Sequence, residues 1–220
     1  MSILKPQGRL SLCADFVREG SRLADIGTDH GYLPIELCMS GKIPSALACD
    51  INPLPLRSAE ENITRFGLSK KIQTRLSDGL KEVSADEVDD VVIAGMGGEL
   101  IRDILFAAPS FKDKDKHFVL QPMTHHEDLV LWLYENGFVI DRQEATLDEG
   151  KYYTVISARF IGKKTPCDLY TAVVGKLDLT DENSRGFLSR VLHNYRNKSK
   201  GDPALLHLVK QLEESIREAE

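Results

Sequence analysis

The run Arg22–Leu37, RLADIGTDHGYLPIEL, decides how this chain folds. A short apolar stretch runs into Asp25, Gly27 and Gly31 bracket a polar turn, and a helical pattern opens directly after it. The same rhythm continues outward from that point. The apolar runs RLADI, SALACDI, IQTRLS, DDVVIAG and HFVLQP are spaced as strands, and between them Tyr32–Met39, Pro53–Phe66, Glu99–Ala107 and Glu127–Asn136 carry helical patterns. Strands that alternate with helices are joined by crossovers, so the expected class is α/β with an open, doubly wound parallel sheet. The pattern changes in FVIDRQEATLDEGKYYTVISARF, where two long strand-like runs flank a turn at Asp148-Glu149-Gly150 and predict a closing antiparallel hairpin. Upstream, GRLSLCADFV spaces its apolar residues as a helix that covers the sheet or its edge.

After IGKKTPCD the composition shifts to two helical patterns separated by KSKGDP, with Asp202 placed to cap and Pro203 at a first helical position. Phe187, Leu188, Val191, Leu192 and Tyr195 form one apolar stripe, and Leu205, Val209, Leu212 and Ile216 form its counterpart. A helical hairpin is the expected ending.

Composition limits what such a chain can do. Its 220 residues suffice for one full domain with an appendage, and 42% hydrophobic with 28% charged residues is the balance of a globular protein. A formal net charge of -6 argues against a wholly basic nucleic-acid binder while allowing a local basic patch. Cys13, Cys38, Cys49 and Cys167 lack metal or redox spacing and read as free thiols. No run is long and apolar enough for a membrane span and none has the build of a signal peptide, so a cytoplasmic protein with no membrane contact is expected.

In a sheet of this type ligands bind beyond the carboxyl ends of the strands. Four polar or glycine-rich sequences fall there: Asp25 to Gly31, Asp50-Ile51-Asn52-Pro53, Asp78-Gly79-Leu80, and Gly95-Met96-Gly97-Gly98. Glycines in the first turn admit close backbone approach, Asp50 can accept from both hydroxyls of a ribose, and Asp78 can take the exocyclic amine of an adenine. Together they describe a nucleoside pocket. Asp25 and Asp29 would repel a pyrophosphate and attract the ammonium and sulfonium of S-adenosylmethionine, which favours methyl transfer. Any one of these acids read alone is more often a turn or helix cap, and His30 is as readily a hydrogen-bonded structural residue as a ligand contact. A dinucleotide oxidoreductase fits less well, because VVIAGMGGEL places Leu100 where the third glycine of the phosphate loop belongs. A module that holds the cofactor without catalysis stays open. His125-His126 lacks a third ligand, so no metal site is expected.

With these residues assembled, the chain resembles the class I S-adenosylmethionine-dependent methyltransferases, and among them the bacterial tRNA (adenine(22)-N1)-methyltransferase family. DIGTDHGYLP, ACDINP, SDGL, VVIAGMGGELI, LQP and DEGKYYTVISARF carry the resemblance. It implies a Rossmann-like domain with a seven-stranded sheet over residues 1–162 and a small coiled-coil-like helical domain over residues 163–220. It further implies that Gly27, Asp29, Gly31 and Tyr32 line the methionine side of the cofactor, where His30 is a further candidate from its place in the turn, with Asp50 and Ile51 at the ribose and Asp78 and Gly79 at the adenine. Gly95, Met96, Gly97 and Gly98 would border the transferred methyl. The implied acceptor is N1 of an adenine in the D-arm region of tRNA, positioned by candidates Arg9, Gln121 and Tyr152. Lys163, Lys164, Arg185, Arg190, Arg196, Lys198 and Lys200 are candidates to follow its phosphates, against the plainer reading of a solvated face paired with an acidic partner helix. No obligate protein partner is implied. The competing expectation is a methyltransferase of a small molecule or protein in which the hairpin serves oligomerisation.

Overall fold

The structure, a computed structural model, describes residues 7–219; residues 1–6 and 220, the outermost ends of the two expected domains, lie outside the described residues. After a first helix α1 (Gly8–Phe16), strands β1 (Leu23–Ile26), β2 (Ala46–Asp50), β3 (Ile72–Leu76), β4 (Asp90–Met96) and β5 (His117–Pro122) alternate with helices α2 (Tyr32–Met39), α3 (Pro53–Arg65), α4 (Gly98–Phe106) and α5 (His126–Glu135). The hairpin strands β6 (Phe138–Asp148) and β7 (Lys151–Phe160) follow. The seven strands lie in the order β3-β2-β1-β4-β5-β7-β6, with β1 to β5 mutually parallel and β7 antiparallel to both its neighbours. The expected doubly wound sheet is present, and the hairpin inserts its second strand beside β5.

Burial explains why the central strands read as unbroken apolar runs. All four residues of β1 are buried, as are the first four of β4, because helices cover both faces. Alternate residues serve different cores. Ala24, Ile26, Val91, Ile93, Phe118 and Leu120 pack with α4 and α5 residues such as Ile101, Leu129 and Leu133. Leu23, Val92 and Val119 face the opposite layer, with Cys13 and Phe16 of α1, Leu33 and Leu37 of α2, and Ile63 of α3. The first helix therefore covers one face, and three of the four free thiols, Cys13, Cys38 and Cys49, lie inside the core, where burial pushes the Cys49 thiol up to about 12.

The helical ending contains α6 (Leu169–Val174), α7 (Glu182–Lys198) and α8 (Leu206–Glu218). The predicted stripes meet: Phe187, Leu188, Val191, Leu192 and Tyr195 pack against Val209 and Leu212. Asp202 caps a single 3-10 turn at Pro203–Leu205 through the Ala204 N–H (3.1 Å), which then leads into α8. Sequence periodicity does not foresee α6. Its six residues are too few for a periodic signal, and it forms because Asp168 accepts from the Thr171 N–H (2.7 Å) and Ala172 and Val173 are fully buried. No described helix is long and apolar enough to cross a membrane.

Candidate functional site

The strand order reverses between β1 and β4, and the crevice this opens lies at their carboxyl ends. There Asp25, Gly27, Asp29 and Gly31 from the first turn, Asp50 from β2, Asp78 after β3 and the loop Gly95 to Gly98 sit on one edge of the sheet. The sequence candidates Gly27 to Tyr32, Asp50, Ile51, Asp78, Gly79 and Gly95 to Gly98 are thus brought to a single rim.

The first turn is built tightly. The Gly27 and Thr28 amides both donate to the Cys49 carbonyl at 2.8 Å, which pins the turn to β2, and Gly27 takes a φ of 77° that a side chain would strain. A Cβ there would also run into the Met96 methyl. His30 is left-handed at φ 57°; its carbonyl accepts from Asn62 Nδ2 (3.0 Å), its ring stacks on Tyr32 (centroids 5.4 Å), and Nε2 lies 3.2 Å from Asp29. The turn thus holds Asp29 outward, with its side chain 82% exposed.

Asp25 stands at the inner end of the crevice. It is buried, and its described partner is the Thr28 hydroxyl, which donates at 2.7 Å. Burial pushes its carboxyl up to about 6, opposed by the Thr28 hydrogen bond and assisted by repulsion from Asp29 and Asp50. Asp50 accepts from the Asn52 amide (2.6 Å) and Asp78 pairs with Lys81 (2.5 Å). Beside Asp78 a cleft of about 180 Å³ is lined by Leu80, Leu100 and Ile104. Ile51 and Leu100 stay 60% and 52% exposed, so apolar surface lines a rim that is otherwise acidic. Carboxylates for hydroxyls and an amine, apolar walls for a flat ring and a turn that excludes side chains fit a cationic nucleoside such as S-adenosylmethionine.

The β4–α4 loop is shaped by a bulge. The register of β4 against β5 shifts between Ala94 and Met96, leaving Gly95 unpaired in the ladder at φ 77°. Its amide donates to Gln121 Oε1 (3.0 Å), and Gln121 Nε2 donates to the Pro122 carbonyl (3.1 Å). Gln121, a positioning candidate from sequence, is fully buried with both ends of its amide engaged, so its place in the fold is that of a brace for the glycine loop. The loop is also tied to the next one: Gly98 donates to the Thr124 carbonyl (2.9 Å) and Met123 to the Met96 carbonyl (2.8 Å). A Cβ at Gly98 would collide with the His125 carbonyl oxygen.

The other positioning candidates are also occupied. Arg9 pairs with Asp148 and lies over the Tyr153 ring, which ties α1 to the hairpin tip. Tyr152 packs on α7, where Gly186 leaves room for its ring. Of the basic candidates, Arg185 donates to the Leu179 and Thr180 carbonyls (3.1 and 2.7 Å), Arg196 pairs with Glu213 of α8 (2.7 Å), and Lys200 donates to Asn197 Oδ1 (3.0 Å). Lys163 and Lys164 are exposed between β7 and α6. Arg190 and Lys198 converge on a cleft of about 180 Å³ that α7 forms with residues 122–127, next to the glycine loop. In that cleft Glu127 accepts from the Tyr195 hydroxyl (3.0 Å) and faces His126 Nδ1 (3.0 Å), and these bonds outweigh its burial and hold its carboxyl at about 2. Its neighbour His125 turns to Asp128 (3.1 Å), so the adjacent imidazoles face different carboxylates. A wider cleft, about 590 Å³ between α1, β6 and the start of α7, includes none of the rim acids Asp25, Asp50 and Asp78.

Comparison with known proteins agrees with this fold. A family model described as a methyltransferase domain matches residues 7–156. The tRNA (adenine(22)-N(1))-methyltransferase of Bacillus subtilis (strain 168) is 35% identical over 158 residues, spanning 72% of this chain and 66% of that relative's length. A Streptococcus pneumoniae chain named as a candidate tRNA (m1A22) methyltransferase, solved with S-adenosyl-L-methionine, superposes with a TM-score of 0.85 at 31% identity over 94% of this chain and 98% of its own. The crystal structure of the Bacillus subtilis m1A22 tRNA methyltransferase TrmK gives 0.79 at 25% identity over 98% and 97% of the two chains.

Proposed function

The chain belongs to the methyltransferase-domain family, and from that premise we propose that it transfers the methyl group of S-adenosylmethionine to N1 of adenine 22 in bacterial tRNA. The observation that carries this reading is the acidic, glycine-turned rim at the β1/β4 reversal, in a chain 35% identical to a relative named for this reaction. That likeness favours tRNA over a small-molecule or protein acceptor. Residues 1–162 form the cofactor domain and residues 163–220 the helical domain, and the protein works in the cytoplasm on tRNA.

The rim residues divide the cofactor among them. Asp25 and Asp29 face the cationic methionine end, Asp50 accepts from the ribose hydroxyls, and Asp78 meets the adenine amine while Leu80, Leu100 and Ile104 hold the ring. Taking up the adenine amine requires Asp78 to share or release Lys81. When bound, the cofactor supplies an electrophilic methyl on a sulfonium, which the N1 lone pair can take in line. Adenine N1 is unprotonated at neutral pH, so the protein's contribution is alignment and charge, and no general base is required. The braced loop Gly95 to Gly98, with glycine at all its positions but Met96, lets the backbone approach the transfer path, and the base must be unpaired or flipped out to reach it. Arg190 and Lys198 meet the phosphates around it.

The test is transfer of labelled methyl to tRNA lacking its modifications, followed by nucleoside analysis. 1-Methyladenosine at one position, absent with Asp50→Ala, is the expected result; label in another nucleoside, or none despite cofactor binding, rejects the assignment.

A further inference from the structure

The cleft between α7 and the β5–α5 loop shares its floor with the glycine loop. Thr124 and Met123 form that floor, and they are the residues hydrogen-bonded to Gly98 and Met96. A planar base lodged there would lie beside the Gly95 to Gly98 loop, the stretch read above as bordering the transferred methyl. The opposite wall comes from α7, where Arg190, Asn194 and Lys198 recur every fourth residue and so share a face.

A base that is methylated on N1 cannot be held through N1. Its remaining recognition edge is N6 and N7, a donor beside an acceptor, and a carboxamide matches that pair with two hydrogen bonds. Gln121 cannot serve, since Gly95 and Pro122 occupy its amide. Asn194 is exposed, lines the cleft, and makes no side-chain hydrogen bond among the described residues. The nearby acid Glu127 is already matched by Tyr195, His126 and, at 3.9 Å, Lys198, and of the neutral polar groups on the cleft, the Thr124 hydroxyl, His126 Nε2 and the Asn194 amide, the amide is the one that carries a donor and an acceptor side by side on separate atoms.

We propose that Asn194 is the acceptor-positioning residue, its amide donating to N7 and accepting from N6 of the target adenine so that N1 points at the Gly95 to Gly98 loop. The inference rests on the adenine-N1 reading above. It makes the helical domain one wall of the acceptor site, and it explains selection of adenine over guanine, whose O6 would oppose the amide oxygen. Arg190 and Lys198, one turn to either side, flank the same nucleotide.

The experiment compares wild type and Asn194→Ala on two tRNAs, one with adenosine and one with 7-deazaadenosine at position 22, the latter lacking the N7 acceptor. With wild type, 7-deazaadenosine is expected to lower kcat/KM about 10-fold. Asn194→Ala is expected to lower kcat/KM on adenosine about 10- to 100-fold, to lose nothing further on 7-deazaadenosine, and to bind S-adenosylmethionine as wild type does. Effects of variant and analogue that multiply, or wild-type turnover by Asn194→Ala, would overturn the proposal, because N7 would then be read by another group or by none. Failure of wild type to form 1-methyladenosine on the adenosine tRNA would instead strike the underlying reading.

Discussion

The two ends of the parallel sheet both gather carboxylates, and they differ in what meets them. At the amino end, Asp90 is wholly buried yet accepts from the Arg18 amide (2.8 Å) and Nε (2.7 Å) and lies 3.0 Å from His117 Nδ1, while Asp89 takes two bonds from the Arg22 guanidinium (2.9 and 2.7 Å). Burial acts to raise the Asp90 carboxyl, and these partners more than reverse it. At the carboxyl end Asp25 has a hydroxyl, Asp50 an amide, and Asp29 an exposed histidine; Asp78 alone meets a lysine. The amino end is electrostatically finished. At the other end the acids keep acceptor capacity that suits a cationic ligand.

The contrast breaks or holds most visibly at Asp90. Asp90→Ala strands Arg18 and His117 and is expected to cost about 3–5 kcal/mol in denaturant unfolding, the range for removing one partner of a buried pair. A loss below about 1 kcal/mol would mean that the amino end is no more a structural site than the rim. Asp50→Ala should do the reverse, leaving the unfolding midpoint nearly unchanged and weakening S-adenosylmethionine by about 100-fold in calorimetry, as two lost hydrogen bonds to a charged group imply.

A pH titration sharpens the same difference. The native Asp25 carboxyl binds its proton more tightly than the unfolded chain does, so its share of stability declines as pH rises from the ordinary 3.8 to about 6. Cofactor binding carries the opposite sign, because a cationic ligand prefers the ionised acid. Affinity should be level above pH 7 and about 10-fold weaker at pH 5, and Asp25→Asn should flatten that dependence. The smallest effect lies in the helical hairpin, which repeats the contrast between matched and available charge. Arg190→Ala, at a guanidinium in no ion pair among the described residues, should lower the slope of log tRNA affinity against log salt by about 1, whereas Arg196→Ala, whose guanidinium is held by Glu213, should leave it unchanged.

Much of this architecture is legible along the chain because periodicity is local. The Tyr32–Met39 helix follows from its pattern with the same bounds, and the five parallel strands lie within a residue or two of their apolar runs. The acids Asp25, Asp50 and Asp78 stand out because each follows such a run. Gln121 does not declare its function in that way. Its partner Gly95 is 26 residues away, and only the bulge that detaches Gly95 from the β5 ladder creates the amide it satisfies.

Sequence by itself therefore determined the α/β alternation, the closing hairpins of strand and of helix, and the acid-and-glycine rim, since each depends on neighbours within a few residues. Tertiary structure decided the insertion of β7 between β5 and β6, the pairing of Arg196 with Glu213, and the meeting of Asn194 with the loop after β5. Those depend on how helices and strands distant in the chain pack together. A charge or an amide on a helix has the same local spacing whether it faces solvent, a partner helix or a ligand, and only the packing of the hairpin on the sheet separates the three.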